Sequence, residues 1–188
     1  EPGHRLGSAR ERQRCLAAPK ENRPPRRGRK GKPRGRRRTI RRHRVDIMPH
    51  ETIRDLDLGA KRVFLRADFN VPLDENGVIT SDTRIRAALP SIRFVLDQGG
   101  SIILASHLGR PRGKPNPAMS LKPVAARLSE LLGRPVVMAP GCVGDEVSMS
   151  ARAMRPGAVL LLENLRFHPG EEANDPEFAR QLADLCDV

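Results

Sequence analysis

Short apolar runs alternate with amphipathic segments along residues 61–188. The runs are KRVFLRA, SIILA, PVVMA and AVLLLEN. Each has the length of a buried strand, and a segment with helical periodicity follows each one. These segments cover 83–98, 120–133, 143–154 and 175–186. Strands and helices in this alternation predict an α/β fold with a doubly wound, Rossmann-like parallel sheet that carries helices on both faces.

Local signals define the ends of the predicted helices. In the first helix, apolar residues recur at helical spacing, and they are Ile85, Leu89, Ile92, Val95 and Leu96. The pair Gly99-Gly100 predicts its end, and Pro90 predicts a kink inside it. Ser120 is the predicted N-cap of the second helix, and Pro176 lies near the first turn of the last one.

Polar side chains follow three of the predicted strands. Asp68 and Asn70 come after the first strand, His107 and Arg110 after the second, and Glu163, Asn164, Arg166 and His168 after the fourth. Arg84 and Arg86 stand at the opening of the first helix. In open α/β sheets, ligands bind beyond the carboxyl ends of the strands. We therefore expect these loops to form one site.

The residue types in these loops suit a small ligand that carries both phosphate and carboxylate groups. Arginine binds such oxygens bidentately, and a helix N-terminus adds N–H donors. The alternative is that each His or Arg is an ordinary solvated loop residue, and for any one of them this alternative is strong. Convergence from three strand ends favours an anion pocket, although it does not define a reaction.

Charge divides the chain into two parts. The whole sequence has a formal net charge of +13, but residues 1–47 alone hold 18 Lys or Arg against four acidic residues. This Arg/Pro/Gly-rich segment cannot bury enough apolar surface to fold, so we expect a disordered basic extension. Its partner would be a polyanion, and a nucleic-acid-binding protein is the alternative function. It could also have no function, with Met48 as the natural start.

Cysteine usage and hydropathy bear on the cellular compartment. Cys15, Cys142 and Cys186 lack the C-x-x-C spacing of metal or redox sites. We expect reduced thiols in a cytoplasmic protein. No apolar run approaches the length of a membrane span, so we expect no membrane partner.

Five stretches, taken in order, resemble the phosphoglycerate kinase family. They are KRVFLRADFNVPL, DTRIRAALPSI, ILASHLGRP, SLKPVAARLSELLG and GAVLLLENLRFHPGEE. The resemblance runs from about residue 50 to the last residue. One such stretch would be weak evidence, whereas five in sequence are highly specific.

The resemblance implies a substrate and roles for the loop residues. In this family the N-terminal domain binds 3-phosphoglycerate or 1,3-bisphosphoglycerate. By their motifs, Asp68 and Asn70 would bind the hydroxyacid part. His107, Arg110 and Arg166 would contact phosphate and carboxylate oxygens. Arg84 would bind substrate too and act as the catalytic residue, at the transferring phosphoryl group. Cys142 and Cys186 need no catalytic role.

The resemblance also implies that part of the family's pattern is missing. A complete enzyme is about twice as long and binds Mg-ATP or Mg-ADP in a C-terminal domain, and we find no nucleotide or metal site in this chain. We expect residues 48–188 to be a partial N-terminal domain, with a sheet that is incomplete at its C-terminal end. The complete enzyme would transfer phosphate in glycolysis, as a monomer. The fragment alone should be inactive.

Overall fold

The computed structural model describes residues 51–188. The predictions for residues 1–47, including disorder and polyanion binding, lie outside this range, as do Cys15 and Met48. The described part contains four strands: β1 (Arg62–Arg66), β2 (Ser101–Ala105), β3 (Val136–Met138) and β4 (Val159–Leu161). All four predicted strands are therefore present, and β3 and β4 are shorter than the apolar runs that indicated them.

The four strands form one parallel sheet in the order β1-β2-β4-β3. The register pairs Val63 with Ile102 and Ile102 with Val159. Every residue of β2 is buried, as expected for an inner strand covered on both faces. Because all strands are parallel, their carboxyl ends meet at one edge of the sheet. The ends of β1, β2 and β4 are direct neighbours there.

Five helices accompany the sheet within residues 51–188. They are α1 (Thr83–Asp97), α2 (Lys122–Leu132), α3 (Asp145–Arg152), α4 (Pro169–Glu172) and α5 (Pro176–Ala183). Short 3₁₀ turns span Pro117–Met119 and Leu165–Phe167. None of the helices in residues 51–188 is long and apolar enough to cross a membrane.

The hydrophobic core lies in two layers, one on each face of the sheet. Ile102 and Leu104 of β2 pack in the layer that contains the buried faces of α1 and α2. Ile103, between them, packs in the other layer with Val147 of α3 and Phe178 of α5. Successive side chains of a strand point to opposite faces, so β2 contributes to both layers. The predicted doubly wound architecture is confirmed.

The structure corrects the predicted N-cap of α2 and adds one short helix. The N-cap of α2 is Leu121 and not Ser120, although the Ser120 hydroxyl still accepts from the Lys122 N–H at 3.3 Å. Helix α1 continues through Pro90 as one element, and a kink there stays a prediction. The short helix α4 lies in a segment for which the sequence pattern predicts no helix. A four-residue helix has no periodic pattern to detect, which is why sequence reasoning missed it.

The last two residues lie along the outer edge of β1. The Phe64 N–H donates to the Val188 carbonyl at 2.7 Å, and the Asp187 N–H donates to the Arg62 carbonyl at 2.8 Å. The side chains of Arg62 and Asp187 also form an ion pair at 2.7 Å. These contacts hold the segment that follows α5 against the sheet.

Candidate functional site

The candidate site residues come from three adjacent strand ends and one helix start. Asp68 and Asn70 follow β1, His107 and Arg110 follow β2, and Arg166 lies in the 3₁₀ turn after β4. Arg84 is the second residue of α1. The order β1-β2-β4 places these loops side by side. Side chains far apart in sequence therefore reach one edge of the sheet.

Arg84 lies against the loop after β1. Its Nη1 atom is 3.2 Å from Asp68 Oδ2 and donates to the Asn70 carbonyl at 2.7 Å. About half of each charged side chain is exposed, 51% for Arg84 and 57% for Asp68. A solvated pair of this kind adds little to stability. Together with the hydrogen bond to the Asn70 carbonyl, the ion pair does hold the Arg84 guanidinium beside the loop after β1.

The backbone of Gly109 joins the loops after β1 and β4. Its N–H donates to Asn70 Oδ1 at 2.9 Å, and its carbonyl accepts from Arg166 Nη1 at 3.3 Å. Gly109 has φ 64°, and a Cβ there would lie 3.0 Å from the sulfur of Met119. Both the backbone conformation and the close approach favour glycine. This glycine lets Asn70 and Arg166 approach the same loop.

His107 lies half-buried among charged groups of both signs. Burial lowers its pKa, and the positive charge of Arg166 lowers it further, with a smaller effect in the same direction from Arg66. The carboxylates of Asp68 and Glu171 oppose this shift and raise the pKa. The net lowering favours neutral imidazole near pH 7. All four charged groups are therefore near enough to His107 to act on its pKa.

Arg110 is exposed, as are Arg84 and Asp68. Within residues 51–188 its side chain has no ion pair and no hydrogen bond to another side chain or to the backbone. It follows Gly109 directly and is therefore adjacent to the Asn70 and Arg166 contacts. The structure brings Asp68, Asn70, Arg84, His107 and Arg166 together, and it places Arg110 at their rim.

The remaining polar residues of these loops are engaged elsewhere. Glu163 accepts from the Ser120 hydroxyl at 2.7 Å and from the Leu121 N–H at 2.9 Å, which ties it to the start of α2. His168 stacks on Phe178 of α5 with ring centroids 4.9 Å apart. Arg86 pairs with Asp82 at 2.9 Å. These residues support the loops and do not line the site.

Asn164 is a structural residue of the site that sequence reasoning left without a role. Its side chain is fully buried, and Nδ2 donates to the carbonyls of Leu108 and Met119 at 2.7 and 2.9 Å. Its Oδ1 accepts from the Arg166 N–H at 3.1 Å. One amide thus joins the loop after β2, the 117–119 turn and the Arg166 backbone. The only sequence signal was its place at a strand end.

Glu171 is a second residue that sequence reasoning missed. It lies on α4, and its side chain is only 10% exposed. One oxygen lies 2.5 Å from Arg66 Nη2, and the other lies 3.4 Å from Arg166 Nε. Glu172 also approaches Arg166 Nε, at 3.6 Å. The sequence signal that could have indicated Glu171 was the acidic pair Glu171-Glu172 directly after the HPG stretch.

Comparison with known proteins adds independent evidence to this geometry. The sequence model of the family described as phosphoglycerate kinase matches residues 53–188. The chain belongs to the phosphoglycerate kinase family. The phosphoglycerate kinase of Chlorobium luteolum is 62% identical over 141 residues, which are 75% of this chain and 36% of that protein. The Solibacter usitatus phosphoglycerate kinase is 62% identical over 145 residues, again 75% of this chain and 37% of the relative.

Solved structures of phosphoglycerate kinases share the fold. The Coxiella burnetii protein superposes with a TM-score of 0.63 at 40% sequence identity, covering 74% of this chain and 34% of that chain. The Pyrococcus horikoshii protein gives the same TM-score of 0.63 at 31% identity, covering 72% and 34%. The chain therefore spans about a third of the length of the phosphoglycerate kinases it matches.

Neither cysteine in the described range has the features of a nucleophile. Cys142 is buried and donates its thiol hydrogen to the Glu163 carbonyl at 3.0 Å. Burial raises the pKa of this thiol to about 12, so almost none is thiolate near neutral pH. Burial also raises the pKa of Cys186. Both are free thiols.

One cavity lies beside the site and is separate from it. A cavity of about 410 Å³ opens between the 115–122 segment and the loop after β3, and it includes Cys142, Glu163 and His168 in its lining. The candidate residues Asp68, Asn70, Arg84, His107, Arg110 and Arg166 do not line this cavity. Asp68 and Arg84 instead line a separate, open depression of about 400 Å³ together with Arg66.

Proposed function

We propose that residues 51–188 form the acid-substrate-binding part of a phosphoglycerate kinase. The reaction is reversible phosphoryl transfer between 1,3-bisphosphoglycerate with ADP and 3-phosphoglycerate with ATP. The observation that carries this proposal is the convergence of Arg84, His107 and Arg166 at the carboxyl edge of a phosphoglycerate kinase sheet. Cations gathered there suit a substrate with a phosphate group at one end and a carboxyl group at the other.

The phosphate and carboxylate oxygens would be bound by Arg110, Arg166 and His107. Arg110 is exposed and has no ion pair in the described part of the chain, so its guanidinium is available to a ligand. Arg166 is held at Nε and Nη1, which leaves Nη2 to donate. His107 is near enough to Arg166 for the positive charge of the arginine to lower its pKa. Charge-assisted hydrogen bonds of this kind are stronger than neutral ones.

The hydroxyacid part of the substrate would be bound by Asp68 and Asn70. Asn70 Oδ1 already accepts from the Gly109 N–H, so the Nδ2 amide is the group that donates to a ligand. The Asp68 carboxylate is more than half exposed and can accept from a substrate hydroxyl. This division gives the substrate hydroxyl a donor and an acceptor from one loop.

Arg84 would stabilise the transferring phosphoryl group. Its guanidinium is held by Asp68 and by the Asn70 carbonyl at the mouth of the site. Phosphoryl transfer needs little covalent chemistry from the protein, and positioned charge on the equatorial oxygens supplies most of the catalysis. A preorganised arginine at the exposed side of the substrate meets this need.

The nucleotide would be bound outside residues 51–188. Within that range no group of three His, Cys, Asp or Glu is placed to hold a metal ion. The chain covers 36% of the length of its Chlorobium luteolum relative. We infer that Mg-ATP or Mg-ADP binds a C-terminal domain in the complete enzyme, which would be a cytoplasmic monomer.

The test is titration of the 188-residue chain with 3-phosphoglycerate by NMR or calorimetry. Arg110→Ala and Arg166→Ala should each weaken binding about tenfold or more, since a charge-assisted bond contributes about 1.5–3 kcal/mol. Arg155→Ala is the matched control, because Arg155 is exposed and precedes β4, at the opposite edge of the sheet. Equal affinity in wild type and both site variants would refute these assignments.

A further inference from the structure

A largely buried carboxylate lies inside the cluster of cations that is proposed to bind an anion. Glu171 is 10% exposed and contacts Arg66 at the end of β1 and Arg166 after β4. His107, at the end of β2, lies between these two strand ends in the sheet order. One side chain of α4 therefore spans three adjacent strand ends. Its negative charge must weaken the attraction of the cluster for an anion, which requires an explanation.

The geometry at Arg166 shows what the carboxylate leaves free. Of the three guanidinium nitrogens of Arg166, Glu171 Oε2 accepts a hydrogen bond from Nε, at 3.4 Å. Nη1 donates to the Gly109 carbonyl at 3.3 Å. Within residues 51–188, Nη2 has no hydrogen-bond partner. A carboxylate that competed with substrate would take two nitrogens of the guanidinium fork. Glu171 instead holds one side of the guanidinium and leaves a donor free.

Helix α4 is itself firmly placed. A Cβ on Gly170 would lie 3.1 Å from Phe178 Cβ, so α4 packs tightly on α5. On its other side, a Cβ on Gly113 would lie 2.8 Å from Pro169 Cγ, and the Gly113 N–H donates to the Arg166 carbonyl at 3.1 Å. Glu171 is thus carried by an element that cannot shift without moving its neighbours.

We propose that Glu171 is a positioning residue that bridges Arg66 and Arg166 and holds the Arg166 guanidinium ready for the acid substrate. The inference rests on the proposed function, since it assigns Arg166 to substrate binding. A long arginine side chain loses conformational entropy when a ligand orders it. With Glu171 in place, the Arg166 side chain is already ordered when the protein folds, so substrate binding no longer has to order it. This saving in conformational entropy offsets the repulsion between the Glu171 carboxylate and the substrate.

The negative charge of Glu171 and its contact with Arg166 predict opposite effects of Glu171→Gln on the affinity for 3-phosphoglycerate. The substitution keeps the shape of the side chain and removes one negative charge from an anion site. If charge alone mattered, 3-phosphoglycerate would bind more tightly. If Glu171 positions Arg166, binding to the 188-residue chain should weaken by about fivefold or more, part of the effect of losing a charge-assisted bond.

Glu172→Gln is the matched control. Glu172 lies on the same helix, approaches the same Arg166 Nε, and is 54% exposed. Among residues 51–188 it has no second cationic partner. Removing its charge should leave the affinity for 3-phosphoglycerate within about twofold of wild type, or raise it. Glu171→Asp, which keeps the charge, should bind more tightly than Glu171→Gln.

The pKa of His107, measured by NMR without substrate, reports whether the carboxylate is where the structure has it. The charged groups that face His107 are Arg66 and Asp68 from the end of β1, Arg166 after β4, and Glu171 on α4. Loss of the Glu171 charge should lower the His107 pKa, because a nearby anion stabilises the imidazolium form. A Glu171→Gln variant with a wild-type His107 pKa would refute the bridge, whatever its affinity.

The outcomes separate this inference from the proposed function. If wild type fails to bind 3-phosphoglycerate, the proposed function is wrong and the inference falls with it. If wild type binds, and Glu171→Gln binds equally well or more tightly, only the inference is overturned. Weaker binding by Glu171→Gln, with Glu172→Gln unaffected and a lowered His107 pKa, supports both.

Discussion

Asn164 lies fully buried beneath the candidate site and connects three of the segments that form it. Its two amide hydrogens reach the carbonyls of Leu108 and Met119, and its oxygen reaches the Arg166 N–H. Buried polar groups of the backbone need partners. The side-chain amide of Asn164 supplies a partner to three backbone groups here. The position of Arg166 depends on this amide.

Asn164→Ala should destabilise the folded chain by at least about 2 kcal/mol. The substitution leaves two carbonyls and one N–H buried without partners, and each such group costs about 1–3 kcal/mol. Urea unfolding followed by circular dichroism measures the change. Asn76→Ala is the control, because Asn76 lies exposed in the turn before α1. A loss no greater than that of the control would show that water replaces the Asn164 contacts.

At the scale of elements, the outer edge of β1 is covered by the segment after α5. The Arg62 carbonyl accepts from the N–H groups of Asp187 and Val188, and the Phe64 N–H donates to the Val188 carbonyl. Asp187 also accepts from the Arg62 N–H at 2.8 Å and from its guanidinium. An uncovered strand edge invites pairing with other chains. The Arg62–Asp187 pair holds this cover in place.

The Asp187 contact should make stability depend on pH in the acid range. Hydrogen bonds from the Arg62 side chain and backbone lower the Asp187 pKa from 3.8 to about 2. The folded-state pKa is below the unfolded one, so the stabilisation is complete above about pH 4 and is lost as the pH falls toward 2. Asp187→Asn should therefore lose less stability than wild type across that interval.

Urea midpoints measured at several pH values between 7 and 2 test this. Asp184→Asn is the control, since Asp184 is exposed and has no ion pair within residues 51–188. It should follow the wild-type pH dependence. Parallel curves for wild type and Asp187→Asn would show that the Arg62 contact does not persist in solution.

At the scale of the whole molecule, the chain spans about a third of the phosphoglycerate kinases it matches. The candidate site lies at an open edge of its sheet. A kinase of this family acts on two substrates, and the proposal assigns only the acid substrate to residues 51–188. The role of Arg84 in transfer must therefore be measured with both substrates bound.

The test joins residues 51–188 to the remaining part of the Chlorobium luteolum enzyme. The joined protein should turn over, whereas the 188-residue chain alone should not. In the joined protein, Arg84→Ala should lower kcat by about 100-fold or more, as removal of one electrostatic stabiliser does, with a comparatively small change in KM. Arg110→Ala should act mainly through KM.

Arg86→Ala is the control on the same helix, because Arg86 pairs with Asp82 away from the site. Its kcat should stay close to wild type. If Arg84→Ala also keeps kcat within a few-fold of wild type, Arg84 has no catalytic role.

The sequence by itself determined the four strands, the four longer helices, the parallel sheet and the family. Hydrophobic periodicity is a property of neighbouring residues, so each run such as SIILA and each helix such as α1 could be recognised locally. The same reasoning placed Asp68, His107 and Arg166 at strand ends, and the rule for ligands in α/β sheets joined them. Family motifs then supplied the proposed roles, including that of Arg84.

Tertiary structure alone decided the strand order, the shortened β3 and β4, and the contacts that hold the site. Glu171 reaches Arg66 across 105 positions of sequence, and Asn164 reaches Leu108 across 56. Neither contact has a local pattern, because packing between distant segments determines which partners meet. Helix α4 is also too short for a periodic signal, and its packing against Gly113 and α5 places it. For that physical reason the positioning residues became visible only in the folded chain.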